Sequence, residues 1–281
     1  MLTKSTANKS KKIIPTALTI AGSDPTGGAG IQADIKTMTR LGVYAASAIT
    51  AVTVQNSKGV SRVMPLPPDL VREQILAVLD DHHVSHIKIG MVGTMEIART
   101  IAETLAKFSG EVILDPVMIS TTGQNLFDSV HNYAPELLEV TTVLTPNLPE
   151  LAILADEEVD TTAKSMRAAT VLLGKLPRLR AVLIKGGHEE GQFQITDRLL
   201  MNDEGEIKLI TRPHLRINTT NCHGTGCTLA SAFTAFHLRD WHYGTAFRNS
   251  VQYMDKILKQ SADAVVTKSP SPNGPMLHHL T

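Results

Sequence analysis

Short β-branched apolar runs alternate with longer stretches in which apolar residues recur three and four apart, and this alternation is what most constrains the fold. The apolar runs lie at 16–21, 47–54, 86–90, 112–114, 142–144 and 182–185. The helical patterns between them lie at 31–41, 70–81, 95–108 and 163–176; in the first, Ile31, Ile35, Met38 and Leu41 share one face. Near-continuous apolar strands separated by amphipathic helices predict an α/β fold, a mainly parallel central sheet with helices on both faces. The runs at 193–200 and 207–212 flank the turn-prone Asn202–Asp203–Glu204–Gly205 and read as an edge hairpin near 193–212. Two further helices, at 227–238 and 245–262, and a Pro-rich tail follow. One doubly wound domain accounts for all of this without a second core.

Composition removes several function classes. The 281 residues carry 27 Lys plus Arg and 27 Asp plus Glu, so the chain has no global attraction to nucleic acid, and aromatics at 4% leave few platforms for base stacking. No apolar run reaches the roughly 18 residues that a membrane span needs. A chain of this length buries a core without disulfides or metal, and its two cysteines, Cys222 and Cys227, read as reduced thiols of a cytoplasmic protein. Residues 1–12 hold four Lys and no acid and lack a secretory apolar core; they are expected to be a disordered basic lead-in, with an organellar leader, acid-poor and Ser-rich like this but usually built with Arg on an amphipathic helix, as the competing reading. His82, His83, His86, His278 and His279 stand at no metal-ligand spacing and are expected on the solvated surface.

Function is expected where strands end in Gly and polar residues, because open α/β sheets bind ligands outside the carboxyl ends of their strands. The segments are AGSDPTGGAG (21–30), Gln55–Asn56, DPVMISTTG (115–123), TPNLPE (145–150) and KGGH (185–188); a sixth, HGTGC (223–227), opens a helix. In HGTGC, Gly224 and Gly226 permit a tight turn whose free N–H groups, with the helix dipole, make an anion site. Cys227 in the first helical turn is expected to have a lowered thiol pKa; a plain Gly-rich turn with a buried Cys is the competing reading. AGSDPTGGAG is neither a P-loop nor G-x-G-x-x-G; it reads as a flexible turn or as close backbone approach to a ligand with Asp24 as polar anchor. Asp115 and Glu150 end neighbouring strands and suit a magnesium ion, and Lys185 beside Gly–Gly suits a phosphate, although carboxylates at such positions also cap helices and such a lysine also snorkels. Together they supply an anion cradle, a cation clamp, a metal site and a base, the parts of phosphoryl transfer.

Read in order, the segments TIAGSDPTGGAGIQADIKT (19–37), SAITAVTVQNSKGV (47–60), KIGMVGT (88–94), LDPVMISTTG (114–123), LTPNLPE (144–150), IKGGH (184–188) and HGTGCTLASA (223–232) resemble the ribokinase-like superfamily. The likeness is closest to the hydroxymethylpyrimidine/phosphomethylpyrimidine kinases of thiamine biosynthesis. GPMLHH near the end looks like that family's closing motif. The resemblance runs from about residue 14 to the C-terminus, so residues 13–281 are expected to form a single ribokinase-like kinase domain. It implies ATP-dependent phosphorylation of 4-amino-5-hydroxymethyl-2-methylpyrimidine to its monophosphate and then its diphosphate, with Mg2+ as cofactor and a homodimeric assembly. By position it implies that Gln55, Asp24 and Met91 bind the pyrimidine, and that Cys227 is catalytic beneath an anion hole of Gly224 and Gly226. Lys185 and Asn147 are then the nucleotide-binding residues, and Asp115 and Glu150 the metal ligands. Cys222 departs from the family's usual Thr, which puts one hydroxyl contact in doubt. Two rivals stand beside this reading: a pyridoxal or pyridoxine kinase, whose substrate is also a flat heterocycle with a hydroxymethyl arm, and a non-catalytic pyrimidine-binding protein. Gln55 favours the aminopyrimidine, since an amide offers both donor and acceptor.

Overall fold

A computed structural model describes residues 13–119, 123, 126–128, 133–188, 193–268 and 273–280. The basic lead-in and residues 120–122 of the DPVMISTTG segment lie outside the described residues. Nine strands form one sheet: β1 (Thr16–Ser23), β2 (Tyr44–Asn56), β3 (Gly59–Pro65), β4 (Val84–Ile89), β5 (Glu111–Leu114), β6 (Val143–Leu144), β7 (Ala181–Ile184), β8 (Gln194–Asp203) and β9 (Glu206–Leu215). Their order is β3-β2-β1-β4-β5-β6-β7-β8-β9. The six strands from β2 through β7 pair in parallel, and antiparallel hairpins close both edges. The hairpin at 193–212 is therefore present, longer than expected, with Glu204 and Gly205 both at positive φ in its turn. The β2–β3 hairpin on the other edge was not anticipated. Its outer strand shows no clean alternation and is largely solvent-facing, so it leaves no periodic apolar signal.

The helices divide between the two faces. On one lie α1 (Gly30–Arg40), α7 (Thr225–Asp240) and α8 (Tyr243–Ser261). On the other lie α2 (Pro68–Asp81), α3 (Met95–Leu105), α4 (Pro135–Glu139), α5 (Leu148–Ala155) and α6 (Thr162–Lys175). Strand alternation follows: Leu18, Ile20, Ile87 and Ile89 pack toward α2 and α3, whereas Ala17 packs with Met38 of α1 and Leu238 of α7. Because β1 lies between β2 and β4 in the sheet, where the strand order turns back, its carboxyl end opens the crevice in which ligands of such sheets bind.

The α1 face of the sheet carries polar side chains that periodicity alone does not foresee. Ile31 and Met38 of α1 are buried as expected, but Ile35 and Leu41 are only partly so, and Ala33, Asp34 and Thr37 complete the buried face. Asp34 is fully buried and accepts from Thr19 Oγ1 at 2.6 Å, from Ser231 Oγ at 2.7 Å, and from Lys88 Nζ at 2.9 and 3.0 Å. Burial disfavours the Lys88 ammonium, but Asp34 outweighs it and holds the pKa above the ordinary lysine value.

At the opposite end of the sheet from the crevice, His86 Nε2 lies 2.9 Å from His237 Nδ1, and both rings are buried. Trp241 meets His86 edge-on at 4.8 Å and Tyr243 stacks on His237 at 4.4 Å. His86 and His278 are thus not on the solvated surface, contrary to expectation; both sit where a strand or tail packs on α7. Burial, and then the neighbouring His237, push His86 down to about 3. The unfolded chain therefore binds a proton that the folded chain does not, between that value and about 6.5, so stability is full above this window and falls as pH drops through it. His86 alone is expected to remove on the order of 2 kcal/mol between pH 7 and pH 5. Urea denaturation at the two pH values measures this loss, and His86→Gln, which cannot titrate, should flatten that part of the slope.

Candidate active site

The carboxyl ends of β1, β2, β4, β5, β6 and β7 and the start of α7 enclose a cavity of about 760 Å3. Its lining includes Asp24, Gln55, Met91, Asp115, Asn147, Glu150, Lys185, Gly224, Gly226 and Cys227, so every residue singled out from the sequence reaches one space. That volume suits a small molecule with a cosubstrate.

The β1–α1 loop is organised by Asp24, which is 3% exposed. Its carboxylate accepts from Thr26 N and Oγ1, Gly28 N, Ala29 N and His223 Nε2 at 2.8–3.1 Å, and also from Gln55. Burial would raise this carboxyl, but the hydrogen bonds from His223, Gln55 and Thr26 outweigh it and hold it well below the usual carboxylate range. Asp24 is therefore a permanently charged acceptor spent on the protein's own donors; it shapes the pocket rather than offering a free group to a ligand. His223, which it anchors, is the first residue of HGTGC, so the two glycine-rich segments are tied together.

The turn before α7 is built on close backbone approach. Gly224 has φ +83°, and a Cβ there would stand 1.9 Å from the Gly28 carbonyl oxygen, so only glycine fits. The helix begins at Thr225, two residues earlier than expected, which places Gly226 inside its first turn. A Cβ on Gly226 would lie 3.5 Å from Lys185 Nζ and 3.6 Å from Asp115 Oδ2. Gly226 thus keeps open the space between the unpaired N–H groups of the helix start and a cationic and an anionic side chain.

Across that space Lys185, just past β7, bridges two carboxylates: Nζ is 2.8 Å from Asp115 Oδ1 and 3.3 Å from Glu150 Oε2. Asp115 follows β5 and also accepts from Thr145 Oγ1 at 3.2 Å. Its other oxygen, Oδ2, is buried with no hydrogen-bond partner among the described residues. Burial disfavours the Asp115 carboxylate, but Lys185 first and Lys88 next outweigh it and lower the pKa. Glu150 shifts the other way, with burial dominating, Lys185 opposing and Asp115 adding to the rise. Lys185, under burial opposed by Asp115 and Glu150, is held above the ordinary lysine value. Glu150 and Asn147 form a reciprocal cap on α5: Asn147 N donates to Glu150 Oε2 and Glu150 N to Asn147 Oδ1, both at 2.8 Å. The side-chain oxygen of Asn147 is spent on that cap.

Cys227 departs from expectation. Burial pushes its thiol up to about 11; Lys88 pulls it down, Asp34 and Asp115 push it up, and the Gly30 backbone N–H pulls it down slightly. The helix start does not deliver a thiolate at neutral pH, because the low-dielectric surroundings penalise the charge more than the nearby positive groups favour it.

Sequence reasoning missed the third cluster on the cavity wall. His214 of β9 lies 3.1 Å from Asp197 Oδ2 and 2.9 Å from Asp255 Oδ1, and Gly186 N donates to Asp197 Oδ1 at 2.8 Å. Burial lowers the His214 pKa, but the two carboxylates outweigh it and raise it to about 9, so the ring stays cationic at neutral pH. An aspartate inside the apolar run of β8 was the available signal.

The fold, and a cavity in which a helix start faces a lysine and two carboxylates, are those of a ribokinase-like phosphotransferase. Residues 24–271 match the phosphomethylpyrimidine kinase family, and the chain belongs to that family. A hydroxymethylpyrimidine/phosphomethylpyrimidine kinase of Rhizobium meliloti is 44% identical over 222 residues, covering 78% of this chain and 81% of that protein. The phosphomethylpyrimidine kinase of Clostridium difficile superposes with a TM-score of 0.70 at 34% identity, over 86% of this chain and 98% of that one. The Bacillus subtilis pyridoxal kinase, solved as an ADP complex, superposes with a TM-score of 0.79 at 29% identity, over 94% of this chain and 97% of that one. Among the described residues no helix is long and apolar enough to cross a membrane.

A thiol near 11 fixes a reactivity profile. In a Cys222→Ser background, alkylation of Cys227 by iodoacetamide is expected to accelerate about tenfold per pH unit from 7 to 10, as the thiolate fraction does. A rate already level at neutral pH would mean that the helix start prevails over burial.

Proposed function

We propose that the chain transfers the terminal phosphoryl group of ATP to the hydroxymethyl oxygen of 4-amino-5-hydroxymethyl-2-methylpyrimidine, and then a second phosphoryl to the monophosphate so formed. The observation that carries this reading is the gap at Gly226, where helix-start N–H groups face Lys185 and Asp115 at the end of a cavity whose other end is lined by Gln55 and Met91. A loose phosphoryl transition state asks the protein for positioning and charge more than for covalent chemistry.

In this reading the N–H groups around Gly224 and Gly226 receive the oxygens of the group in transit, and Lys185 balances their charge. Asp115 and Glu150 are the residues that would hold Mg2+; a buried carboxylate oxygen without a partner and a second carboxylate nearby suit an ion that takes its remaining ligands from water and phosphate. When bound, the ion supplies charge neutralisation on the phosphate oxygens. Asn147 and Lys185 border the nucleotide. Cys227 faces the substrate hydroxyl and accepts its proton in its minor thiolate form, so turnover rises on the alkaline side. Cys227→Ala retaining near-normal turnover would remove it as an essential base.

Gln55 sets the substrate. Asp24 accepts from the Gln55 side chain, which leaves the amide carbonyl oxygen as the atom turned toward a ligand donor, and an exocyclic amine is such a donor. Pyridoxal is the second reading, favoured by the superposition on the Bacillus subtilis pyridoxal kinase. The reading also carries a cytoplasmic location, supported by the two free cysteines, and a homodimer, supported by Tyr44, Val52, Val54 and Met64 standing about half exposed on the β2–β3 edge.

Incubating the protein with Mg·ATP and either heterocycle, with products read by mass spectrometry, tests the assignment. The expected products are the pyrimidine monophosphate and then its diphosphate; pyridoxal phosphate alone would overturn the role of Gln55. A second variant separates site from fold. Gly226→Ala adds a methyl at ordinary contact distances within a helix, so thermal stability is expected to hold or rise by about 0.5–1 kcal/mol. Turnover should fall about 100-fold as the methyl occupies the phosphoryl space.

A further inference from the structure

The tail segment 273–280 is not used by the chemistry above, yet its polar contacts converge on the turn that carries the anion cradle. Gly274 N donates to Thr220 O at 2.8 Å, His223 N donates to Gly274 O at 3.0 Å, and Pro275 bridges His223 in parallel. Gly274 allows this approach: a Cβ there would stand 1.8 Å from Asn221 Oδ1. The Asn221 amide nitrogen in turn donates to Ser261 O and Ala264 O at the end of α8. Leu277 N donates to Ser261 Oγ at 2.8 Å, and Met276 is buried against the α7–α8 core with Phe233 and Ile257.

The last contact reaches the reacting end. His278 is 3% exposed and its Nε2 lies 2.9 Å from the hydroxyl of Thr228, the residue after Cys227. An interaction of the His278 ring with the Met276 backbone favours the tautomer in which Nε2 accepts and Thr228 Oγ1 donates. Thr228 N donates to Gly224 O at 2.9 Å and so closes the first turn of α7. A threonine hydroxyl within a helix ordinarily back-bonds to the carbonyl four residues earlier, which here is that of Gly224. His278 takes the hydroxyl instead.

We propose that the C-terminal strap, acting through His278 and Thr228, positions the phosphate cradle: it keeps the Thr228 hydroxyl off the Gly224 carbonyl and so fixes the turn that presents Gly224, Gly226 and Cys227. His278 is a positioning residue and touches neither substrate. This rests on the phosphoryl-transfer reading, and a wild-type assay made first separates the two: no product from the wild type would defeat that reading and not the strap. Burial pushes His278 down to about 4, with Lys36 adding to the fall, so the acceptor persists through the assay range.

The experiment compares kcat, KM for the pyrimidine, and melting temperature for His278→Ala, His278→Gln, Thr228→Val and the double variant His278→Ala/Thr228→Val. A small displacement of a transition-state donor acts on kcat. His278→Ala is expected to lower kcat about tenfold or more with KM changed less than about twofold. His278→Gln, which restores an acceptor, should recover most of that loss. Thr228→Val, which keeps the shape and removes the donor, should match His278→Ala, and the double variant should fall no further, because the two act as one unit. An unchanged kcat in His278→Ala, whatever the melting temperature, overturns the proposal. So does a raised KM at constant kcat, or additive losses in the double variant. If His278→Ala does not fold, the isosteric Thr228→Val decides alone: normal kcat in that variant refutes the strap.

Discussion

One buried carboxylate holds together the elements on which the site stands. Asp34, on α1, accepts from Thr19 of β1, Lys88 of β4 and Ser231 of α7. Those strands flank the crevice, and that helix begins at its mouth. Removing one partner of such a buried pair costs about 3–5 kcal/mol, whereas replacing both with apolar groups is often neutral, so its value lies in specifying arrangement more than in stability. An apolar contact would hold α7 against the sheet at many rotations. A carboxylate with four hydrogen bonds holds it at one, and Cys227 lies one helical turn from Ser231 on the same face.

The cavity is arranged as a gradient of charge. At the end near Gln55, Asp24 is charged but fully engaged, so it presents shape and oriented dipoles. At the other end Lys185, Asp115 and Glu150 form a triad in which one cation is shared by two carboxylates. Their shifts are opposite: Lys185 and Lys88 draw Asp115 down against burial, whereas burial and the neighbouring Asp115 push Glu150 up. Under the proposed function, a nucleotide and a divalent ion would bring charges of both signs to this group.

The fold was legible because its signals are local. Parallel interior strands are mostly apolar and their helices amphipathic, so strand and helix positions could be read within a few residues. The site was legible for a related reason: its residues sit where apolar strands end, and the glycines of HGTGC and AGSDPTGGAG mark backbone that cannot carry a side chain. What escaped was pairwise. Asp34 breaks the apolar face of α1 and Lys88 interrupts the apolar run of β4; each looks surface-facing alone, and only their juxtaposition explains both. His86 and His278 were misplaced for the same reason, since their partners His237 and Thr228 are 151 and 50 residues away. The thiol of Cys227 was misjudged because helix position can be read from sequence and depth of burial cannot.

The contact between Gly28 and Gly224 has a consequence for how the enzyme tells ligands apart. The β1–α1 loop and the turn before α7 are interlocked backbone to backbone, and Asp24 with His223 bolts them a second time. They form one jaw, not two. Under the proposed function, a heterocycle with a substituent too large for the first loop cannot push it aside without also tilting the N–H groups of the second. The misfit is then felt at the bond being made, so a poor substrate would be admitted but processed slowly: discrimination written in tempo and not in occupancy.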